Sequence, residues 1–149
     1  MAYEPPDYGG YERQTADVNY KYGQDSITNA YGRFISQQRG SRNLGDLSRN
    51  FGRAMPGQQA SFGQRGLAGG GIKSGAYQNS MNRFTGDYAR NYLRSQQDTT
   101  QELQGYDMNQ ANMEEWRQQS LAGIQAQKAR EIANTASSLE AIRQIVGGL

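Results

Sequence analysis

Apolar positions in the second half of the chain recur at intervals that predict a long helix. From Tyr77 to Val146 the steps between successive apolar side chains are mostly three, four or their sum, which places them on one face of an α-helix. No proline interrupts this stretch, and the good helix formers Gln, Ala, Glu and Arg are abundant in it. We predict a long amphipathic helical segment over residues 72–149. The pattern is compatible with a straight helix, a kinked helix or a helical hairpin.

The first half of the chain has shorter apolar runs that are separated by glycines. Helical spacing predicts one short helix over residues 25–38 and a second over residues 41–56. A glycine costs about 1 kcal/mol relative to alanine inside a helix, so the density of aromatic-glycine pairs favours short helices joined by turns. We expect an extended arm over residues 1–24 and short helices with a Gly-rich hinge over residues 25–71. The fold class is then mainly α, extended and non-globular, with little or no sheet.

The apolar stripe of the long helix is too narrow to bury itself within one chain. Leu, Ile, Val and Phe make up 21 of the 149 residues, and the mean hydropathy is −0.93. This fraction lies below the roughly 20% at which self-sufficient packing becomes doubtful. The stripe suits a bundle of identical helices or a groove on a larger assembly. We expect the helix-packing interface to comprise Tyr77, Met81, Phe84, Tyr88, Trp116, Leu121, Ile124, Leu139 and Ile142.

Charge is distributed unevenly along the chain. Residues 21–94 carry eleven basic and three acidic side chains, although the net charge of the whole chain is only +2. Most of the basic residues are Arg, whose planar guanidinium suits forked contacts with phosphate or carboxylate and stacking on aromatic rings. The candidate contacts with a nucleic acid or an acidic partner are Arg33, Arg39, Arg42, Arg49, Arg53 and Arg65. The alternative is that these arginines solvate short helices or pair with neighbouring acids.

The residues needed for most catalytic chemistry are missing. The chain contains no Cys and no His, which removes the usual thiolate nucleophile, general base and transition-metal ligands. The glycine-rich stretch lacks P-loop spacing, because Ile72 stands between Gly71 and Lys73. Glu114 and Glu115 are neighbours that point about 100° apart on a helix, so they cannot converge on one atom. We predict no catalytic residue, no cofactor, no metal site and no membrane-spanning segment.

Three motifs near the centre of the chain resemble those of a viral protein class. They are Phe51-Gly-Arg-Ala-Met-Pro, Phe62-Gly-Gln-Arg-Gly-Leu67 and Gly71-Ile-Lys-Ser-Gly75-Ala-Tyr77, followed by a Gln-rich helix. This stretch is similar to small virion proteins of tailed bacteriophages. The resemblance implies a component built in several copies into the particle, near the portal and tail or among the proteins ejected with the genome. Such a protein is made in the host cytoplasm and located in the virion. The chain lacks the apolar segment expected of an ejected protein that crosses a membrane by itself.

Three functional hypotheses follow from these patterns. The first is a non-enzymatic, oligomeric structural or assembly protein whose partners are its own copies and other virion proteins of the portal and tail. The second is an Arg/Tyr-rich nucleic-acid-binding protein that coats DNA or RNA, and its binding would weaken steeply with salt. The third is a disordered Gly/Tyr/Arg scaffold.

Overall fold

The chain is almost entirely helical where its structure is defined. The computed structural model describes residues 8–64 and 75–147, and these form two long helices, α1 (Tyr8–Phe62) and α2 (Gly75–Gly147). Within these two ranges there is no β-strand. The prediction of a mainly α protein is therefore confirmed.

The first half of the chain differs from the predicted arrangement of an arm and short helices. Residues from Tyr8 onward, where an extended arm was expected, are already helical, and α1 continues without interruption through Pro56 to Phe62. The glycines do not end the helix, and two of them, Gly32 and Gly40, allow close contact with side chains of α2. Contacts with a second helix stabilise sequences of low intrinsic helix propensity. The predicted glycine hinge, residues 69–71, lies outside the described residues.

The second half of the chain forms one helix of 73 residues. Gly86, Gly105 and Gly123, at which the helix could have been interrupted, all lie inside α2, and a Cβ at any of them would meet nothing within 4 Å. The apolar repeat and the absence of proline account for the length of this helix.

The chain divides into two compact units. Unit 1 contains the described residues of Met1–Ala30 and Met108–Leu149, and unit 2 is formed by those of Tyr31–Asp107. In each unit a stretch of α1 packs antiparallel to a stretch of α2. In unit 2, for example, Ser36 contacts Glu102, whereas Phe51, further along α1, contacts Phe84, earlier in α2.

Neither unit has a buried apolar core among the residues that the structure describes. The buried polar side chain is that of Ser36, which is 2% exposed. Many of the large apolar side chains are instead between 38 and 71% exposed to solvent. These are Tyr20, Ile27, Tyr31, Phe34, Leu93, Met108, Trp116, Ile132, Leu139, Ile142, Ile145 and Val146. Pairing of α1 with α2 therefore leaves much of the apolar surface open.

Gly40 and Gly45 provide a matched test of how α1 and α2 approach each other in unit 2. A Cβ at Gly40 would overlap the Cβ, Cγ2 and Oγ1 atoms of Thr99, whereas a Cβ at Gly45 would meet nothing within 4 Å. We expect Gly45→Ala to raise the free energy of unfolding by about 0.5–1 kcal/mol, because alanine favours helix. We expect Gly40→Ala to lower it by about 1–3 kcal/mol through overpacking. Urea unfolding followed by circular dichroism measures both, and an equal stabilisation by the two changes would contradict the close approach.

Candidate assembly surfaces and charged segments

Gln110 is at the centre of the polar contacts that join the two helices in unit 1. Its amide nitrogen donates hydrogen bonds to the Ser26 hydroxyl at 3.0 Å and the Tyr22 hydroxyl at 3.2 Å. Its amide oxygen accepts from Ser26 at 3.2 Å and from the Asn29 amide at 3.3 Å. The three α1 residues lie four and three positions apart, so they share one face of the helix. A network of hydrogen bonds between polar side chains is directional, so this one fixes the register of the two helices more strictly than apolar contacts do.

Two cations of unit 1 lie over aromatic rings. The Lys21 ammonium lies 4.9 Å from the centre of the Trp116 ring, and the Arg117 guanidinium lies 4.8 Å from the centre of the Tyr22 ring. Arg117 also donates a hydrogen bond of 2.9 Å from Nε to the side-chain oxygen of Asn19. Each cation–aromatic contact at an exposed site contributes about 0.5–1 kcal/mol. Trp116 thus contacts α1 through one side of its ring and remains 38% exposed.

Hydrogen bonds between the two helices shift the pKa values of two side chains in unit 1. The hydroxyl of Tyr22 donates to Glu114, and this bond, with further ones from Gln118 and Arg117 and the charge of Arg117, lowers the pKa of Glu114. A hydrogen bond to Glu131 raises the pKa of Tyr11 to about 12. The bond between Tyr22 and ionised Glu114 stabilises the folded state at neutral pH. This stabilisation is lost as the pH falls through the lowered pKa of Glu114.

The polar contacts of unit 2 surround Ser36. The Ser36 hydroxyl donates to a Glu102 carboxylate oxygen at 2.7 Å and lies 3.4 Å from the Tyr106 hydroxyl. A Cβ at Gly32 would come within 2.7 Å of the Tyr106 ring, so the ring packs directly on the α1 backbone. Arg33 and Asp107 form an ion pair at 3.0 Å, but both side chains are at least half exposed. Such a pair contributes at most about 1 kcal/mol.

An aromatic cluster joins the helices in the other part of unit 2. The Phe51 ring of α1 stacks on Phe84 at 5.1 Å and on Tyr88 at 4.1 Å between ring centres, and Tyr88 lies 5.9 Å from Tyr92. Stacked aromatic pairs contribute about 0.5–1.5 kcal/mol each beyond the area that they bury. Stacking of these rings therefore stabilises the contact between α1 and α2 in this part of unit 2.

Phe62 extends the aromatic contacts past Pro56. Its ring is almost perpendicular to that of Tyr77, with 5.3 Å between the two ring centres. Proline removes one backbone hydrogen bond inside a helix, and this contact holds the last turns of α1 against α2 beyond that position.

The predicted packing residues of α2 fall into three groups. Tyr77, Phe84 and Tyr88 contact aromatic residues of α1. Met81, Leu121 and Ile124 are half-buried, and Trp116 lies beneath Lys21. Leu139 and Ile142 are about half exposed and have no hydrogen bond, ion pair or ring contact with α1 among the described residues. Their predicted role in packing stays a prediction that concerns contacts outside the chain.

The predicted arginine contacts also differ from one another. Arg33 pairs with Asp107 and Arg49 with Asp46, while Arg65 lies outside the described residues. Arg39, Arg42 and Arg53 form no ion pair with any residue that the structure describes. Their spacings of three and eleven residues place them on one side of α1.

Two further arginines of unit 2, which were not predicted as contact residues, also lack an ion pair with any described residue. Arg83 and Arg94 lie on α2 in unit 2 and are also without an ion pair within the described ranges. Arg94 shares a shallow groove with Arg39, Asn43 and Asn91, but Asp98 and Glu102 line the same groove. The free arginines therefore form a dispersed basic surface rather than one anion pocket.

The polar contact residues Ser36 and Gln110 were missed by reasoning from the sequence. A search for apolar repeats passes over them, since both are polar. One signal was present: Ser26, Asn29, Ser36 and Gly40 recur at three, four or seven residues, as small and polar residues do on a helix face in close contact with another helix.

Neither a metal centre nor a membrane-spanning helix is found in the described parts of the chain. No group of three or more acidic side chains there is placed to hold a metal ion, and neither helix contains a stretch apolar enough to cross a bilayer. Comparison of the chain with protein-family models, curated proteins and solved structures finds no match.

Proposed function

We propose that the chain is a non-enzymatic structural or assembly protein that works as a multimer, with other copies and further proteins covering its exposed apolar side chains. The observation that carries this proposal is the distribution of apolar surface. The described residues include twelve large apolar side chains that are at least 38% exposed, and none that is buried. Apolar surface of this extent is typical of protein interaction sites.

Exposed apolar residues lie on α1 as well as on α2. In unit 1, Tyr20 and Ile27 are seven residues apart and face away from Tyr22, Ser26 and Asn29, which contact α2. A helix with polar side chains against its partner and large apolar side chains towards solvent is suited to pack against a further protein surface on its outer side.

The setting we propose is the particle of a tailed bacteriophage, near the portal and tail, at the head–tail connection or among the components of genome ejection. The support for this setting is the resemblance over Phe51 to Leu93 and the helical form of the chain. Long helices with open apolar faces suit a protein that is built in several copies into a larger assembly.

The test is the amount of this chain in particles from an infected culture. Particles are purified on a density gradient, washed with high salt, and analysed by quantitative peptide mass spectrometry. We expect several copies per particle in a fixed ratio to the portal protein. A chain that stays in the soluble fraction, or that falls below one copy per particle after the wash, would contradict the proposal.

The free arginines of unit 2 favour a second candidate function, nucleic-acid binding. Eight described arginines form no ion pair within the described residues, and five of them belong to unit 2: Arg39, Arg42, Arg53, Arg83 and Arg94. An arginine without an ion pair can contact a phosphate without first breaking an internal one.

We expect the triple change Arg39→Gln, Arg42→Gln, Arg53→Gln to weaken binding to duplex DNA and to reduce the slope of log K against log salt by about two to three. Fluorescence anisotropy over a salt series measures both effects. The matched control is Arg13→Gln, Arg130→Gln, Arg143→Gln, which removes the same charge from unit 1. An equal effect of the two triple variants, or no binding by the unchanged protein, would exclude a specific role for unit 2.

A further inference from the structure

The last part of α2 continues past the residues that lie opposite the described start of α1. Gln14 of α1 lines a groove with Gln127 of α2, and a side-chain hydrogen bond joins Tyr11 to Glu131. α1 is described from Tyr8, three residues before Tyr11, and the two helices are antiparallel. After Glu131 the side-chain hydrogen bonds of α2 are made to its own backbone, by Thr135, Ser137 and Ser138.

This segment, residues 132–146, carries a high density of exposed apolar side chains. Five of them are between 45 and 70% exposed, and they are Ile132, Leu139, Ile142, Ile145 and Val146. The segment has 15 residues and a length of about 22 Å at 1.5 Å per residue. Its helical form thus presents a continuous apolar face without a partner among the described residues.

The spacing of these residues identifies the kind of partner that fits them. Ile132, Leu139 and Val146 are seven residues apart, and Thr135 and Ile142 are also seven apart, three positions later. These are the a and d positions of a heptad repeat, which places side chains along a seam between supercoiled helices. A strict seven-residue step is specific to packing against another helix of similar form, and it matches a second copy of the same segment best.

The residues beside the seam indicate how many copies join. The e and g positions of a two-stranded coiled coil are usually charged, but here Ala136 and Arg143 occupy e, and Ser138 and Ile145 occupy g. A largely uncharged flank that includes Ile145 widens the apolar face beyond a and d. Leu139 at a with Ile142 at d also favours trimers or tetramers over dimers.

The charges of the segment allow several copies to approach. Between residues 132 and 146 the charged side chains are Glu140 and Arg143, so the net charge is zero and identical copies do not repel one another strongly. Neither side chain occupies an a or d position. The centre of the seam therefore holds no charge, and the charged group of Arg143 lies at its edge.

We infer that residues 132–146 of α2 form the site at which three or more copies of this chain join through a short helical bundle. This inference rests on the proposed function, of which it names the partner and the contacting segment. Two heptads give a weak association for separate chains in solution, which a particle would strengthen by holding several copies close together.

The experiment measures the mass of the purified full-length chain by sedimentation equilibrium over a concentration series. We expect the mass to rise towards three or more chains. Leu139→Asp and Ile142→Asp should each weaken self-association at least about a hundredfold, because each places a carboxylate in the apolar seam. Circular dichroism should show retained helicity in both variants, since Leu139 and Ile142 are about half exposed and have no hydrogen bond, ion pair or ring contact with the described part of α1.

The matched controls are Ala133→Asp and Ala141→Asp, which add the same charge at the b and c positions of the same segment. They should change self-association less than about threefold. A wild-type chain that remains a monomer, a stable dimer that goes no further, or an equal loss in seam and control variants would overturn the inference. Binding of a monomeric chain to anionic lipid vesicles, lost in Leu139→Asp, would assign the face to a membrane instead and also overturn it.

Different results would overturn the proposed assembly function and the proposed bundle of residues 132–146. Self-association in solution by a chain that is missing from purified particles would overturn the proposed function and leave the bundle intact. A chain present in particles at several copies but monomeric in solution, with seam variants incorporated normally, would overturn the bundle and leave the proposed function intact.

Discussion

The side-chain contacts between α1 and α2 are the interactions on which the described structure depends, and they combine hydrogen bonds, aromatic stacking and half-buried apolar side chains, since no apolar side chain there is fully buried. In unit 1 these are the bonds of Gln110, and in unit 2 they are the bond of Ser36 to Glu102 and the stacking of Phe51. Each contributes about 0.5–1.5 kcal/mol net, and partial exposure keeps the contributions small. These contacts fix the register of α1 against α2 within each unit.

The same balance explains why the chain is suited to assembly. Pairing of the two helices leaves many large apolar side chains exposed, and they lie on α1, in the middle of α2 and near its end. Covering them with a partner adds about 25 cal/mol for each Å² of apolar surface removed from water. If the chain is an assembly component as proposed, binding to its neighbours would stabilise its folded state by mass action.

The length of α2 and the mainly α class could be predicted, because the apolar repeat from Tyr77 to Val146 is long and free of proline. The continuity of α1 could not, because its glycines suggest turns until one sees that Gly40 packs against Thr99, far away in the sequence. The contacts of Phe84 followed from the pattern, whereas those of Gln110 did not, because polar residues that pair across helices carry no periodic apolar signal. Such contacts depend on which residues of the two helices lie opposite each other, and the sequence of one helix alone does not show this.

The central claim is that the stability of this chain depends on contacts between molecules as well as on the pairing of α1 with α2. The most direct measurement is thermal unfolding followed by circular dichroism at 222 nm over a series of protein concentrations. If copies complete one another's apolar faces, the midpoint temperature rises with concentration, because association stabilises the folded state by mass action. A midpoint that is high and independent of concentration, in a chain that stays monomeric, would contradict this account.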